Sequence, residues 1–343
     1  MLTDLTFHPE WWAARGFRFD RRFFTDWRYR IACDQAMRRV LFEEFGDLGL
    51  GEKDPLPRPL IDSDLLAGEF VQAQVLGCDV QFPDQSLPFT PPLNLTDEQV
   101  IALKPVELSE NAVWNEYDQQ FRQIYAEYGR VESYMDMHGV QNLAIDLRGQ
   151  TLFEDYYIEP DLASHVLDIA CRTILDIASA VSKYTPSTSI GVTSIVRKVD
   201  PTLFVTSNCT CEMVSEAVYD EFLLERDRRL QQRFAPFGIH HCGQTMEHLA
   251  RSYARLSPDF IEVGAHSNIT ETLKHFSKFT KVNLRYHPAD LAAKSPQQIR
   301  VDIAEMKRQS QTHPYVSISS VGVDASASHA SIAAFIEAVT QDQ

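Results

Sequence analysis

Glycine is sparse in this chain, 14 in 343 residues, and no stretch reads GxGxxG or GxxxxGK[ST]. The glycine-rich turns that cradle a dinucleotide or a nucleoside triphosphate are therefore missing. Cysteine is sparse too: six are too few for a disulfide scaffold in a chain of this length. No apolar run approaches the ~20 residues that a membrane-spanning helix needs. Positive charge is in deficit, with 32 Lys+Arg against 48 Asp+Glu and a net charge of −16. A surface that tracks phosphates or anionic lipid wants the opposite sign, so neither nucleic acid nor a membrane surface is expected as the main partner. The N-terminus has no basic stretch followed by an apolar one, so no secretory leader is expected. These absences lead to the expectation of a cytoplasmic protein with reduced thiols, either a monomer or a homodimer.

What is present is an ordinary folding composition, 44% hydrophobic, 23% charged and 10% aromatic, which excludes disorder and fibrous repeats. The first 50 residues are rich in aromatics (Trp11, Trp12, Phe17, Phe19, Phe23, Phe24, Trp27, Tyr29) and run into a helical pattern from Ile31 to Phe45. Residues 1–64 are expected to form an N-terminal helical cap and a Pro-rich linker, with the aromatics packed on a larger body formed by residues 65–343. LLAGEFVQAQVLG (65–77) has helical spacing with Gly77 at its end, and CDVQF (78–82) reads as a short strand. From about residue 110, helical stretches alternate with short β-rich runs. The runs are SIGVTSIV (189–196), LFVTSN, FGIHHCG, FIEVG, KVNLRY and YVSISSVG. That alternation predicts α/β architecture around a parallel sheet. With no nucleotide fingerprint, a closed (β/α)8 TIM barrel is expected rather than an open doubly wound sheet.

In a barrel, chemistry belongs where strands end and loops begin. Four strand ends qualify: SNCTCE (207–212), HHCGQT (240–245), EVGAHSN (262–268) and SSVGVD (319–324). Along an extended strand, residues i and i+2 share a face. His240 and Cys242 are therefore expected to project together, with His241 on the opposite face, and an imidazole beside a thiolate suits zinc. Cys209 and Cys211 repeat the spacing on the preceding strand end, close enough for both thiols to reach a shared metal. Taken alone, either pair is as readily read as buried, satisfied polar residues. Cys33, Cys78 and Cys171 lie in helical or core patterns and read as packing. At the end of KVNLRYH, Asn283, Arg285, Tyr286 and His287 form a polar cluster, and Arg285 has the forked geometry that holds a carboxylate or phosphate. Met135 and Met137, flanking Asp136 and His138, read as packing residues. His8, His248, His275 and His313 read as surface residues.

From HHCG outward, the order of landmarks resembles the uroporphyrinogen decarboxylase and corrinoid methyltransferase superfamily. AQVLGCDVQFPDQSLPF, IDLRGQTLFEDYYIEPDLASHVLDIA, CTCEMVSEAVYDEFLLERDRRLQQRF, KVNLRYHPADLAAKSPQQIRVDI and SSVGVDASASHASIAAFIEAV occur in the family's order over roughly residues 65–340. The resemblance implies a TIM barrel with its active site in the cleft at the C-terminal face. The decarboxylase branch carries an arginine-rich N-terminal motif that DWRYRIA (26–32) does not match. The methyltransferase branch carries HxCG and, by the resemblance, holds zinc with that pair and a later cysteine. Val321 stands at that later position here, so Cys209 and Cys211 become the expected substitutes.

The resemblance therefore favours a corrinoid-dependent methyltransferase with catalytic residues His240, Cys242 and His287. Its expected metal ligands are His240, Cys242, Cys209 and Cys211, and its expected substrate-binding residues are Asn283, Arg285, His266 and Tyr286. The corrinoid would arrive on a partner protein received by an aromatic rim around Trp11 and Trp12, and the other substrate would be a small methyl donor or acceptor. The alternatives are a uroporphyrinogen decarboxylase-like lyase and a non-catalytic tetrapyrrole- or corrinoid-binding barrel.

Overall fold

A computed structural model of the chain describes residues 1–65, 70–83, 86–132, 135–185 and 194–341. Its centre is a curled sheet of six parallel strands in the order β1-β6-β5-β4-β3-β2. These are β1 (Leu2–Phe7), β2 (Phe204–Ser207), β3 (Phe237–His240), β4 (Phe260–Val263), β5 (Lys281–Arg285) and β6 (Val316–Val323). The last five fall where the β-rich runs predict them, and helices occupy the intervals as expected. The longest of these are Trp27–Phe45, Ala112–Tyr128 and Pro160–Val181. Local chemistry sets several of their ends. Ser295 and Gln298 form a reciprocal capping box ahead of Pro296, and Gly77 adopts a positive φ after the helix Val71–Val75. Two isolated parallel bridges, Leu60↔Glu132 and His138↔Ser207, extend the ring of pairing beyond β2. Among the described residues the sheet has six strands rather than eight.

The chain opens with a strand that the sequence pattern does not announce. LTDLTF pairs in parallel with β6 along its whole length, so the helical part of the N-terminal segment starts only at Pro9. The alternation places Leu5 and Phe7 against the helices and Asp4 and Thr6 on the opposite face. Phe7 stacks on Trp11 at 4.1 Å and on Phe45 at 5.4 Å, and Trp12 meets Trp11 edge to face at 4.7 Å. Trp11, Trp12, Phe23, Phe24 and Trp27 are all buried, as their number predicts. Trp11 and Trp12 therefore offer no exposed aromatic rim to a partner. Trp12 is fully enclosed, so Trp12→Ala is expected to cost about 3–5 kcal/mol, read as a lowered midpoint of urea unfolding. A loss below about 1 kcal/mol would mean that this aromatic cluster does not anchor the segment.

Two expected strands are otherwise. Residues 189–193 of SIGVTSIV lie outside the described residues, and the remainder enters the helix Ile195–Val199. Ile195 and Val196 pack with Leu203, Val205 and Phe260 in a small separate core, so packing overrides the β-branched pattern. CDVQF contributes only the antiparallel bridge Gln81↔Phe89. His313, expected at the surface, is buried, whereas His248 and His275 are exposed.

Candidate metal centre

The registers of the strands align one row of residues across the sheet. His138 pairs with Ser207, Ser207 with His240, His240 with Glu262, Glu262 with Asn283, and Asn283 with Ser317. Registered partners share a face, so a polar layer runs across five strands at the level where the chemistry is expected. All six residues are buried, and most of their polar atoms are paired within the layer. The Glu262 carboxylate contacts the His240 ring at Nδ1. It also accepts a 2.8 Å hydrogen bond from Asn283 Nδ2. Asn283 Nδ2 donates in addition to Ser319 Oγ at 2.8 Å, and Ser317 Oγ donates to Asn283 Oδ1 at 3.2 Å. Arg285, two residues on and on the same face, brings Nη1 to 3.7 Å from Glu262 Oε1. That Nη1 is buried and has no hydrogen-bond partner of its own.

At the upper edge of this layer, Cys209, His240 and Cys242 bring one ligand atom each within 4.8 Å of one another. His240 is buried, Cys209 half-buried and Cys242 exposed as a residue. Its electrostatics favour charge separation. The Cys242 thiol is pulled well below the usual thiol range first by a hydrogen bond from Cys209, against a desolvation cost, and then by the charges of His240 and Arg285. Burial alone would make His240 less basic, but the Glu262 carboxylate and the Cys242 sulfur outweigh it and raise its pKa. Burial would likewise raise Glu262, yet His240, Arg285 and Asn283 hold it below the ordinary carboxylate range. His241 is turned the other way, with Nδ1 3.0 Å from Tyr253 OH and Nε2 3.0 Å from the Thr245 carbonyl. Its pKa falls to about 4 because burial disfavours the imidazolium.

Cys211 does not join this group. The chain turns into a 3-10 segment, Cys209–Met213, directly after β2, so residues i and i+2 no longer share a face as they would on an extended strand. Cys211 is buried instead, beside Tyr253 and Asp227, and burial pushes its thiol pKa up. Val321 lies on β6 opposite Thr6 and offers no ligand atom. Tyr286 also departs from its expected role. It follows Arg285 on the helix-facing side, donates to Asp302 at 2.8 Å and packs against Phe335. Tyr286→Phe is therefore expected to cost about 1 kcal/mol of stability and to leave metal content unchanged. Metal loss in that variant would place Tyr286 in the site after all.

His266 and His287 stack on each other, their rings 5.1 Å apart and 24° from parallel, and neither belongs to the group of candidate metal ligands. His287 Nδ1 accepts the Ala289 N–H and caps the helix Pro288–Ala293. His266 bonds Gln244, in the loop that carries Cys242. That loop is tightly packed. A Cβ on Gly264 would collide with the Gly243 carbonyl, and one on Gly243 would collide with the Glu212 carboxylate. Glu212 in turn accepts the Thr245 N–H at 3.1 Å. Sequence reasoning passes over Glu262, although a carboxylate in the middle of the apolar strand FIEV is itself a signal, because a buried charge needs a partner. Met135 and Met137 are buried packing residues as expected.

Residues 63–341 match the uroporphyrinogen decarboxylase (URO-D) family. The chain belongs to that family. Among solved structures, a methyltransferase from Methanosarcina mazei superposes with a TM-score of 0.64 at 14% identity, covering 97% of this chain and 90% of that one. At that identity the likeness speaks for the fold of this URO-D family member. No curated protein matches the chain.

Proposed function

We propose that this URO-D family member is a methyltransferase that uses a zinc ion held by Cys209, His240 and Cys242 to move a methyl group between a corrinoid protein and a small molecule. The observation that carries this reading is the convergence of two thiols and an imidazole within 4.8 Å, one of the thiols belonging to an exposed residue. The donor set fits the ion. Sulfur and imidazole ligands suit zinc, and tetrahedral bonds of about 2.0–2.3 Å put neighbouring ligand atoms within about 4 Å, so a small contraction completes the site. Three protein ligands leave the fourth position for a substrate sulfur or water, the pattern of catalytic rather than structural sites. Bound there, zinc supplies Lewis acidity that keeps a sulfur as thiolate at neutral pH.

The chain's own residues set the rest. Glu262 fixes the His240 ring at Nδ1 and leaves Nε2 for a metal, the carboxylate–histidine arrangement that orients metal-bound imidazoles. Arg285, with its unpartnered Nη1, gives the cleft a donor for an anionic group on the small molecule. The corrinoid enters this reading as the partner protein's cargo, and the two isolated bridges mark where further strands would complete a closed barrel.

The test is to incubate zinc-loaded protein with methylcobalamin and small thiols. Thiol methylation in step with loss of the methylcobalamin spectrum is the expected result. No methylation with any thiol, together with carbon dioxide release from a carboxylated porphyrinogen, would replace this reading with the lyase, for which Arg285 would serve equally well.

A further inference from the structure

Cys209 sits on no strand. The 3-10 segment that carries it is closed by long backbone bonds, Cys211 N–H to Asn208 O at 3.3 Å and Val214 N–H to Cys211 O at 3.2 Å. So short a turn fixes a side chain poorly unless neighbouring elements hold it. The first turn of the helix Val140–Arg148 does so. Asn142 Oδ1 accepts both the Thr210 N–H at 3.0 Å and the Thr210 hydroxyl at 2.6 Å. Gln141 Nε2 donates to the Thr210 carbonyl at 2.7 Å and reaches its Oγ1 at 3.2 Å. Gln141 is fixed in turn by the Tyr156 hydroxyl, which donates to its Oε1 at 3.0 Å. On the other side of Cys209, the Gly139 N–H donates to the Ser207 carbonyl at 2.9 Å. The approach is so close that a Cβ on Gly139 would collide with that carbonyl. Every polar group of Thr210 is thus engaged by one helix end, and the chain is gripped both before and after Cys209.

We propose that Asn142 and Gln141 are positioning residues for the metal centre: by clamping Thr210 they hold the Cys209 sulfur at ligand distance from His240 and Cys242. The proposal rests on the zinc reading above for its purpose, while the clamp itself is a property of the apoprotein. The clamp has a polarity. A backbone N–H can only donate and a backbone carbonyl can only accept, so Asn142 must present oxygen and Gln141 must present nitrogen. The two isosteric amide-to-acid changes therefore have opposite consequences. Asn142→Asp keeps its acceptor and preserves the clamp. Gln141→Glu loses its donor and sets a carboxylate against the Thr210 carbonyl.

The experiment titrates cobalt(II) into the full-length protein and reads the thiolate-to-cobalt charge-transfer band, whose intensity counts the bound sulfurs. Gln141→Glu and Asn142→Ala are expected to weaken binding by roughly 10- to 100-fold, the usual cost of removing an outer-shell partner, and to drop the band from two sulfurs to one. Asn142→Asp should keep both sulfurs and an affinity close to that of the unsubstituted protein. Thr210→Val against Thr210→Ser repeats the comparison where a helix variant fails to fold. A second readout needs no metal. Diamide oxidation of the apoprotein joins Cys209 to Cys242 as a disulfide, detected by peptide mass spectrometry, and this should slow in Gln141→Glu but not in Asn142→Asp. If the unsubstituted protein binds no cobalt yet the disulfide rates follow this pattern, the zinc reading fails and the clamp stands. If both acid variants behave alike in both readouts, the clamp is overturned.

Discussion

Cys242→Ala protein, purified and passed through gel filtration, is expected to contain no stoichiometric zinc and to have no methyl-transfer activity. Two protein ligands remain after the substitution, one fewer than the three that catalytic zinc sites use. The lost sulfur also belongs to the one exposed residue of the group. Cys209→Ala should likewise abolish stoichiometric zinc, because Cys209 belongs to the same group of ligand atoms. Cys211→Ala should retain zinc, since that thiol is buried beside Tyr253 and Asp227, outside the group. His241→Ala should retain it as well while losing stability, its ring being engaged by Tyr253 and the Thr245 carbonyl. Elemental analysis of the four variants and the unsubstituted protein decides the matter. Full zinc in Cys242→Ala, or none in the unsubstituted protein, would end the zinc-thiolate mechanism.

The contrast between Cys209 and Cys211 shows where the sequence is legible and where it is not. The run FGIHHCG is apolar and β-prone up to His240, so period-two alternation correctly puts His240 toward one face and His241 toward the other. The same rule applied to CTCE fails because β2 stops at Ser207 and the next residues coil into a 3-10 turn. Strand ends are where local propensity says least and packing most. Spacing thus brings the two strand ends together but counts both Cys209 and Cys211 into the group, of which only Cys209 lies within it. β1 is hidden for a related reason. LTDLTF alternates only from Asp4 to Phe7, and it lies ahead of a dense aromatic segment whose helical pattern dominates the region. Its pairing with β6 is a contact between the two ends of the chain, which no local window contains. The helix Ile195–Val199 is the converse case: β-branched residues fold as a helix because Val205 and Phe260 present an apolar surface for it to cover. Glu262 was visible as a charge in an apolar strand, yet its role depends on three side chains from two neighbouring strands.

Glu262 carries the second large expectation. Its carboxylate touches His240, accepts from Asn283 and lies 3.7 Å from Arg285, with almost none of its surface exposed. Glu262→Ala would leave an imidazole and a guanidinium without their counter-charge in the interior, a change that typically costs about 3–5 kcal/mol. The melting temperature and the urea midpoint of that variant are therefore expected to fall sharply. Glu262→Gln separates the metal effect from the folding effect. Glutamine keeps the shape and one acceptor oxygen, but it removes the charge that raises the basicity of His240 and orients its ring. Outer-shell changes of this kind lower metal affinity by roughly 10- to 100-fold, so zinc should pass to a competing chelator at correspondingly lower chelator concentration. The same charge gives the apoprotein a predictable response to acid. Because Glu262 titrates below its ordinary value when folded, its contribution is present above the unfolded carboxylate pKa of about 4.3 and is lost as the pH falls toward the folded value. Glu262→Gln should therefore flatten the acid limb of the apoprotein's stability curve while weakening zinc near neutrality. Unchanged zinc affinity in Glu262→Gln would show that the carboxylate serves the fold alone, and that His240 is held for the metal by the packing of its strand.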